Sequence, residues 1–157
     1  MDLLALDGLI FSGGNTIKAV DPTASGVSCA RDEFEAKLFR QAWLREVPTI
    51  GVCRGMQFVN HQLGGAMIPL EGHVGTRHKI KAVNSDFGFP PTVNSYHNYG
   101  ITPDGLGAEL EPLAVDHNGL IEAFRHRRKP LLCMMWHPER ESPARLTDKR
   151  LFLSLFT

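Results

Sequence analysis

Five residues constrain this chain more than any others: Gly51-Val52-Cys53-Arg54-Gly55. They join a short β-branched run, residues 49–52, to a helix-like segment, residues 56–63, which closes on Gly64-Gly65. A strand that turns at once into a helix needs a sharp corner. A side chain two positions before or after its tip would collide with neighbouring backbone. Glycine on both sides therefore predicts a strand–turn–helix with Cys53 exposed to chemistry at the tip, and a left-handed glycine at the helix end.

The surrounding pattern extends this unit into an α/β domain. Residues 3–11 are apolar apart from Asp7 and Gly8 and end at Ser12-Gly13-Gly14-Asn15, as a buried strand followed by a glycine turn would. Residues 16–30 have no periodicity and read as a loop. Residues 31–45 carry Phe34, Leu38, Ala42 and either Trp43 or Leu44 at helical spacing, and Pro48 separates this helix from the next strand. The second half holds strand-like runs at 79–83, 92–96, 110–115, 120–124 and 131–136, with Asn118-Gly119 as a hairpin signal and a final helix over 146–156. The expected architecture is one domain over residues 1–157, with a mostly parallel central sheet between layers of helices. The chain opens directly on a buried strand, so an earlier strand and helix are expected to be missing or replaced by another covering element.

Charge and composition remove several functions. Seventeen basic and seventeen acidic residues cancel, so no global field favours nucleic acid or an anionic membrane. The basic run from Arg125 to Lys129 lies between two apolar runs and reads as a solvated turn. No apolar run approaches the ~20 residues that span a bilayer, and no signal peptide is visible. Three cysteines, Cys29, Cys53 and Cys133, match no zinc spacing and suit a reduced, cytoplasmic protein. Cys133 reads as core, as do Trp43 and Trp136. His73 and His78 suggest a metal pair, but no third ligand has matching spacing, so no metal and no cofactor are expected.

Cys53 is the candidate nucleophile. The N-terminus of the following helix favours a thiolate, and the Arg54 N–H is placed to donate to an oxyanion. Of seven histidines, only His137 follows a buried run and has a carboxylate two positions on, in Trp136-His137-Pro138-Glu139. In extended chain such residues share a face, so Glu139 is expected to orient His137 while His137 serves as the base. Gly13 and Gly14 allow close approach of backbone to a ligand, either as a second oxyanion donor or simply as a turn. Gln57 lies one helical turn beyond Cys53, where it either bonds a substrate or only fills the helix. Asn94-Ser95-Tyr96-His97-Asn98 reads as a recognition segment or a capped strand end.

Taken together, Cys53-Arg54-Gly55-Met56-Gln57, the Trp136 to Glu139 segment and Ser12-Gly13-Gly14 resemble the class I glutamine amidotransferase superfamily, in motifs and in their order along the chain. The elbow and Asn94-Ser95-Tyr96-His97 are most similar to its γ-glutamyl hydrolase-like branch. That branch includes enzymes acting on γ-glutamyl amines and small capsule-biosynthesis hydrolases that release glutamate from γ-glutamyl-CDP-amidate; the chain is similar to the latter. The resemblance implies a flavodoxin-like fold whose N-terminal strand–helix–strand is absent here. It also implies a Cys53-His137-Glu139 triad acting through a thioester, with Gly14 and Arg54 as the oxyanion hole. Gly13, Gln57 and the backbone around Ser95, Tyr96 and His97 would hold the glutamyl group. The alternative it leaves open is a glutaminase subunit that passes ammonia from glutamine to a synthetase or transferase partner.

Overall fold

The structure is a computed structural model, and it describes residues 6–83 and 88–156. Residues 3–5 of the first expected strand lie outside the described residues. What is seen of that strand is β1, Leu9–Phe11. Among the described residues, β1 pairs in parallel with β2, Thr49–Val52, which pairs in parallel with β9, Leu131–Met134. Antiparallel pairing then continues through β8, Ile121–His126, β7, Leu110–Asp116, and β4, Val74–Ala82, to β5, Thr92–Tyr96. The α/β architecture is as expected, but the sheet is mixed. Only the β1-β2-β9 third is parallel, because the second half of the chain connects through hairpins too short for crossover helices. One of these hairpins is the expected Asn118-Gly119 turn, with Gly119 at φ +81°. A separate two-stranded ribbon joins β3, Ile68–Pro69, to β6, Tyr99–Gly100.

Helices α1, Cys29–Leu44, and α2, Arg54–Gln62, cover one face of the sheet, and α3, Leu146–Leu153, covers the other. The two faces give two cores, and β9 feeds both. Leu131, Cys133 and Met135 join Phe11, Phe39, Met56 and Phe58 on the α1/α2 side. Leu132, Met134 and Trp136 join Ile50, Val52 and Leu151 on the α3 side. This is the two-residue period of a strand buried on both faces. Trp136 also donates its indole N–H to Asp148 of α3 at 3.1 Å. Cys133, Trp43 and Trp136 are thus packing residues.

Helix α1 begins two residues before the expected start, where the Ser28 hydroxyl caps it by accepting from the Arg31 N–H at 3.2 Å. Its buried face also differs from the sequence reading. Glu35, Phe39 and Ala42 are buried, whereas Phe34 and Leu44 are 58% and 73% exposed. The helix is rotated so that Arg31, Asp32 and Glu35 reach polar partners at the sheet edge, and those ion pairs outrank the apolar stripe.

Candidate functional site

The three parallel strands end side by side, with Phe11 beside Gly51 and Val52 beside Met134. The glycine turn after β1, the elbow after β2 and the His137 segment after β9 therefore emerge together, at the carboxyl edge where open α/β sheets place their ligands. Topology alone thus gathers residues that are about 40 and 80 positions apart in sequence.

At the elbow, Cys53 sits at φ 50°, ψ −106°, a strained conformation for a non-glycine residue. Its N–H donates to the Met134 carbonyl at 2.8 Å, which ties the tip to β9. Both glycines are required. A Cβ on Gly51 would meet Gly55 backbone at 2.9 Å and Cys133 Sγ at 2.7 Å, and one on Gly55 would overlap the Phe11 carbonyl. Gly64, at φ +83° just after α2, is the expected left-handed terminator.

The expectation of a resting thiolate is corrected. Burial pushes the Cys53 thiol up to about 12; the bond from the Arg54 N–H and the Arg140 charge act in the opposite sense, while Glu139 and Glu122 add to the rise. Cys53 is only 3% exposed, so desolvation outweighs the helix terminus. The sulfur is a neutral thiol that needs a base.

His137 is buried and held from three sides. Asn94 of β5 grips its backbone twice, accepting from the His137 N–H and donating to its carbonyl, both at 2.8 Å. Nδ1 lies 2.6 Å from Glu139 Oε1, which leaves Nε2 without that claim. The ring of Tyr96 stands edge-on to the imidazole at 5.7 Å, and Gly13 lies against the Cε1 edge of the ring. Glu139 reaches His137 by a route other than the one expected. His137 is extended, but Pro138–Arg140 is a 3₁₀ turn, so the carboxylate folds back instead of continuing along a strand. Its side chain is 58% exposed.

Gly14, at φ 149°, faces a guanidinium that the sequence reading passed over. Arg31 donates to the carbonyls of Ser12 and Gly13 at 3.2 Å and to Glu35 at 2.8 Å. Glu35 and Asp32 in turn pair with the buried guanidinium of Arg54. The Arg54 side chain thus points into α1, and only its backbone N–H faces the thiol. One network therefore braces the glycine turn and the elbow through a single helix. The visible signal was Arg31-Asp32 with Glu35, an i,i+4 pair on one face.

The remaining candidates divide. Tyr96 faces the imidazole, and Arg140 lies over its ring at 4.1 Å. Ser95 and His97 point to the other side of β5. Ser95 Oγ donates to the His73 carbonyl at 2.6 Å, and His97 Nδ1 lies 2.9 Å from the Tyr99 carbonyl. This leaves only their backbone for contact with a ligand near Cys53. Gln57 is buried and donates to the Tyr99 carbonyl at 3.1 Å. Beside Gly13 and Glu139 opens a mostly apolar groove of about 610 Å³, lined by Ile10, Val52, Phe152 and Leu153 among others.

Residues 2–153 match the family described as glutamine amidotransferase class-I. The chain belongs to this family. It is 31% identical over 137 residues to γ-glutamyl-CDP-amidate hydrolase of Campylobacter jejuni, across 87% of this chain and 64% of that one. It therefore spans somewhat less than two thirds of that relative. It is also 34% identical over 111 residues to the carbamoyl phosphate synthase small chain of Nitratidesulfovibrio vulgaris, across 69% of this chain and 28% of that one. The fold matches that of a GMP synthase-type protein from Thermoplasma acidophilum, with TM-score 0.76 at 22% identity, over 98% of this chain and 74% of that one. A glutamine amidotransferase from Methylobacillus flagellatus gives TM-score 0.70 at 13% identity, over 90% and 55%. Family membership thus agrees with the resemblance carried by the elbow and the His137 segment.

Proposed function

We propose that this chain is a cysteine amidohydrolase that cleaves a γ-glutamyl amide and releases glutamate. The observation that carries the reading is the meeting of the Cys53 elbow and the Glu139-bound His137 at the ends of neighbouring parallel strands. Because Nδ1 is held by Glu139, Nε2 takes the Cys53 proton as sulfur attacks the γ-carbonyl. The N–H groups of Gly14 and Arg54 receive the oxyanion. Collapse returns the proton to the departing amine and leaves a thioester. Water, deprotonated by His137, then cleaves the thioester to glutamate and restores the thiol. A protonated resting thiol suits this order, since the charge appears only when substrate excludes water and the imidazolium is beside it.

The likeness to a γ-glutamyl-CDP-amidate hydrolase supports a nucleotide-linked γ-glutamyl amide as substrate. The likeness to carbamoyl phosphate synthase small chains supports a second reading, a glutaminase that hands ammonia to a synthetase. Glutamate release by the protein alone separates them. Rapid release from γ-glutamyl-CDP-amidate but not from glutamine supports the first. Glutamine turnover that rises only with a synthetase present supports the second. No release from either, with Cys53 unlabelled by a thiol-reactive glutamine analogue, refutes both.

A further inference from the structure

On the far side of β5 from His137, the fold gathers side chains that the proposed hydrolysis does not use. His73 precedes β4, His78 lies within it, His97 follows β5 and Glu122 lies in β8. In sequence His73 and His78 lack a third partner; the sheet supplies one from 44 residues further on. One ligand atom each from His73, His78 and Glu122 lie within 4.8 Å of one another. The His73 ring is 5.2 Å from that of His78 and 5.1 Å from that of His97. Glu122 Oε1 is 3.1 Å from His78 Nε2 and 3.9 Å from His97 Nε2.

The bonding is incomplete in a way that points to a cation. His97 Nδ1 faces the Tyr99 carbonyl, which only accepts, so Nδ1 carries the proton and Nε2 is a bare lone pair. That lone pair faces a carboxylate, in a residue that is almost fully buried. Among the described residues, His73 Nδ1, His97 Nε2 and Glu122 Oε2 are buried without a hydrogen-bond partner, and His78 Nε2 meets only Glu122 Oε1, at 3.1 Å. Asp116 adds a further buried, unpartnered oxygen nearby, Oδ2, which also lies 4.0 Å from the exposed His117. Converging acceptors of this kind are costly to bury unless something positive lies among them. A ligating histidine characteristically donates its other ring N–H to a carbonyl, as His97 does.

We propose that His73, His78, His97 and Glu122 bind a divalent transition-metal cation of the Zn²⁺ type. Three imidazoles and one carboxylate suit that ion in a closed four-coordinate site. The ion would clamp the β4–β5 hairpin to β8. Because Asn94 of β5 holds the His137 backbone, the clamp would also fix the hairpin that supports the imidazole.

The test uses Cys53→Ser protein, so that the elbow thiol cannot hold the metal. Titration with Zn²⁺ by calorimetry, and with Co²⁺ by visible absorption, is expected to show one equivalent bound and the d–d bands of a four-coordinate nitrogen/oxygen site. Adding His78→Ala or Glu122→Gln is expected to weaken Zn²⁺ binding at least ~10-fold, the loss typical of a disrupted metal shell. Thermal unfolding is expected to shift upward with Zn²⁺ in the Cys53→Ser protein and to stay fixed in Cys53→Ser/Glu122→Gln. Absence of stoichiometric binding overturns the proposal and leaves a proton as the shared charge. Binding of unchanged affinity in both folded second-site variants overturns it too. Because these readouts need no turnover, their failure is separate from failure of the hydrolase reading.

Discussion

Gly13→Ala isolates the placement of His137 from its chemistry. Gly13 has no positive φ, so alanine suits its backbone, but the added Cβ would lie 2.5 Å from His137 Cε1 and 3.3 Å from Nδ1. Ordinary contact begins near 3.4 Å, so ring and turn must separate by about 0.9 Å, and displacements of this size cost on the order of 10²-fold in rate. Neither side yields easily. Asn94 and Glu139 hold the histidine, and Arg31 holds the Gly13 carbonyl. The expected outcome is a fall of about 100-fold in kcat for glutamate release, and in the rate at which a glutamine-derived chloroketone alkylates Cys53. The melting temperature should change little. Gly88→Ala, with nothing among the described residues within 4 Å of its new Cβ, is the control and should match wild type. Wild-type alkylation by folded Gly13→Ala protein would show that the Gly13–imidazole contact does not position the base, and the reasoning would fail.

Glu139→Gln is expected to lower kcat by about 10²- to 10⁴-fold with KM little changed, since it removes the group that fixes the imidazole tautomer; steady-state kinetics check this. Glu35→Ala leaves the buried Arg54 guanidinium half-paired and removes the Arg31 brace, so stability should fall by about 3 kcal/mol. For a domain of this size that lowers Tm by roughly 6–12 °C in a calorimetric scan. The Cys53 thiol is held up to about 12 in the fold, whereas the unfolded chain loses that proton near 8.5. Above that pH the unfolded state binds fewer protons, so stability is intact below it and falls as pH rises toward 12, by at most ~1.4 kcal/mol per pH unit. Chemical denaturation between pH 8 and 11 should show this slope, and Cys53→Ser should reduce it, leaving the part due to the fully buried Cys133.

The parallel third of the domain was legible because its rules are local. Glycines at fixed offsets around Cys53, a left-handed glycine after α2 and the Trp136 to Glu139 segment each name their own geometry. The helix α1 face was misread because periodicity counts apolar residues only. It could not weigh the acid–guanidinium pairs with Arg54 and Arg31 that turn Glu35 inward and leave Phe34 outside. The thiol was misread for a related reason. A helix terminus is visible in sequence, whereas the depth at which Cys53 is buried is a property of the assembled fold. The pairing of His73 and His78 with Glu122 lies beyond any spacing rule, since β4 and β8 meet their neighbours only through the sheet.

The alternation along β9 carries a consequence for how this domain tolerates length change. Consecutive residues from Leu131 to Trp136 serve opposite cores, and His137 takes its direction from that count. An extra residue in the turn at 127–129 can be looped out at the surface. The same residue between 131 and 136 exchanges the two sets of side chains across the sheet and turns the imidazole away from Cys53. The strand behaves as a reading frame for the site, one in which parity matters more than the identity of any single hydrophobic residue.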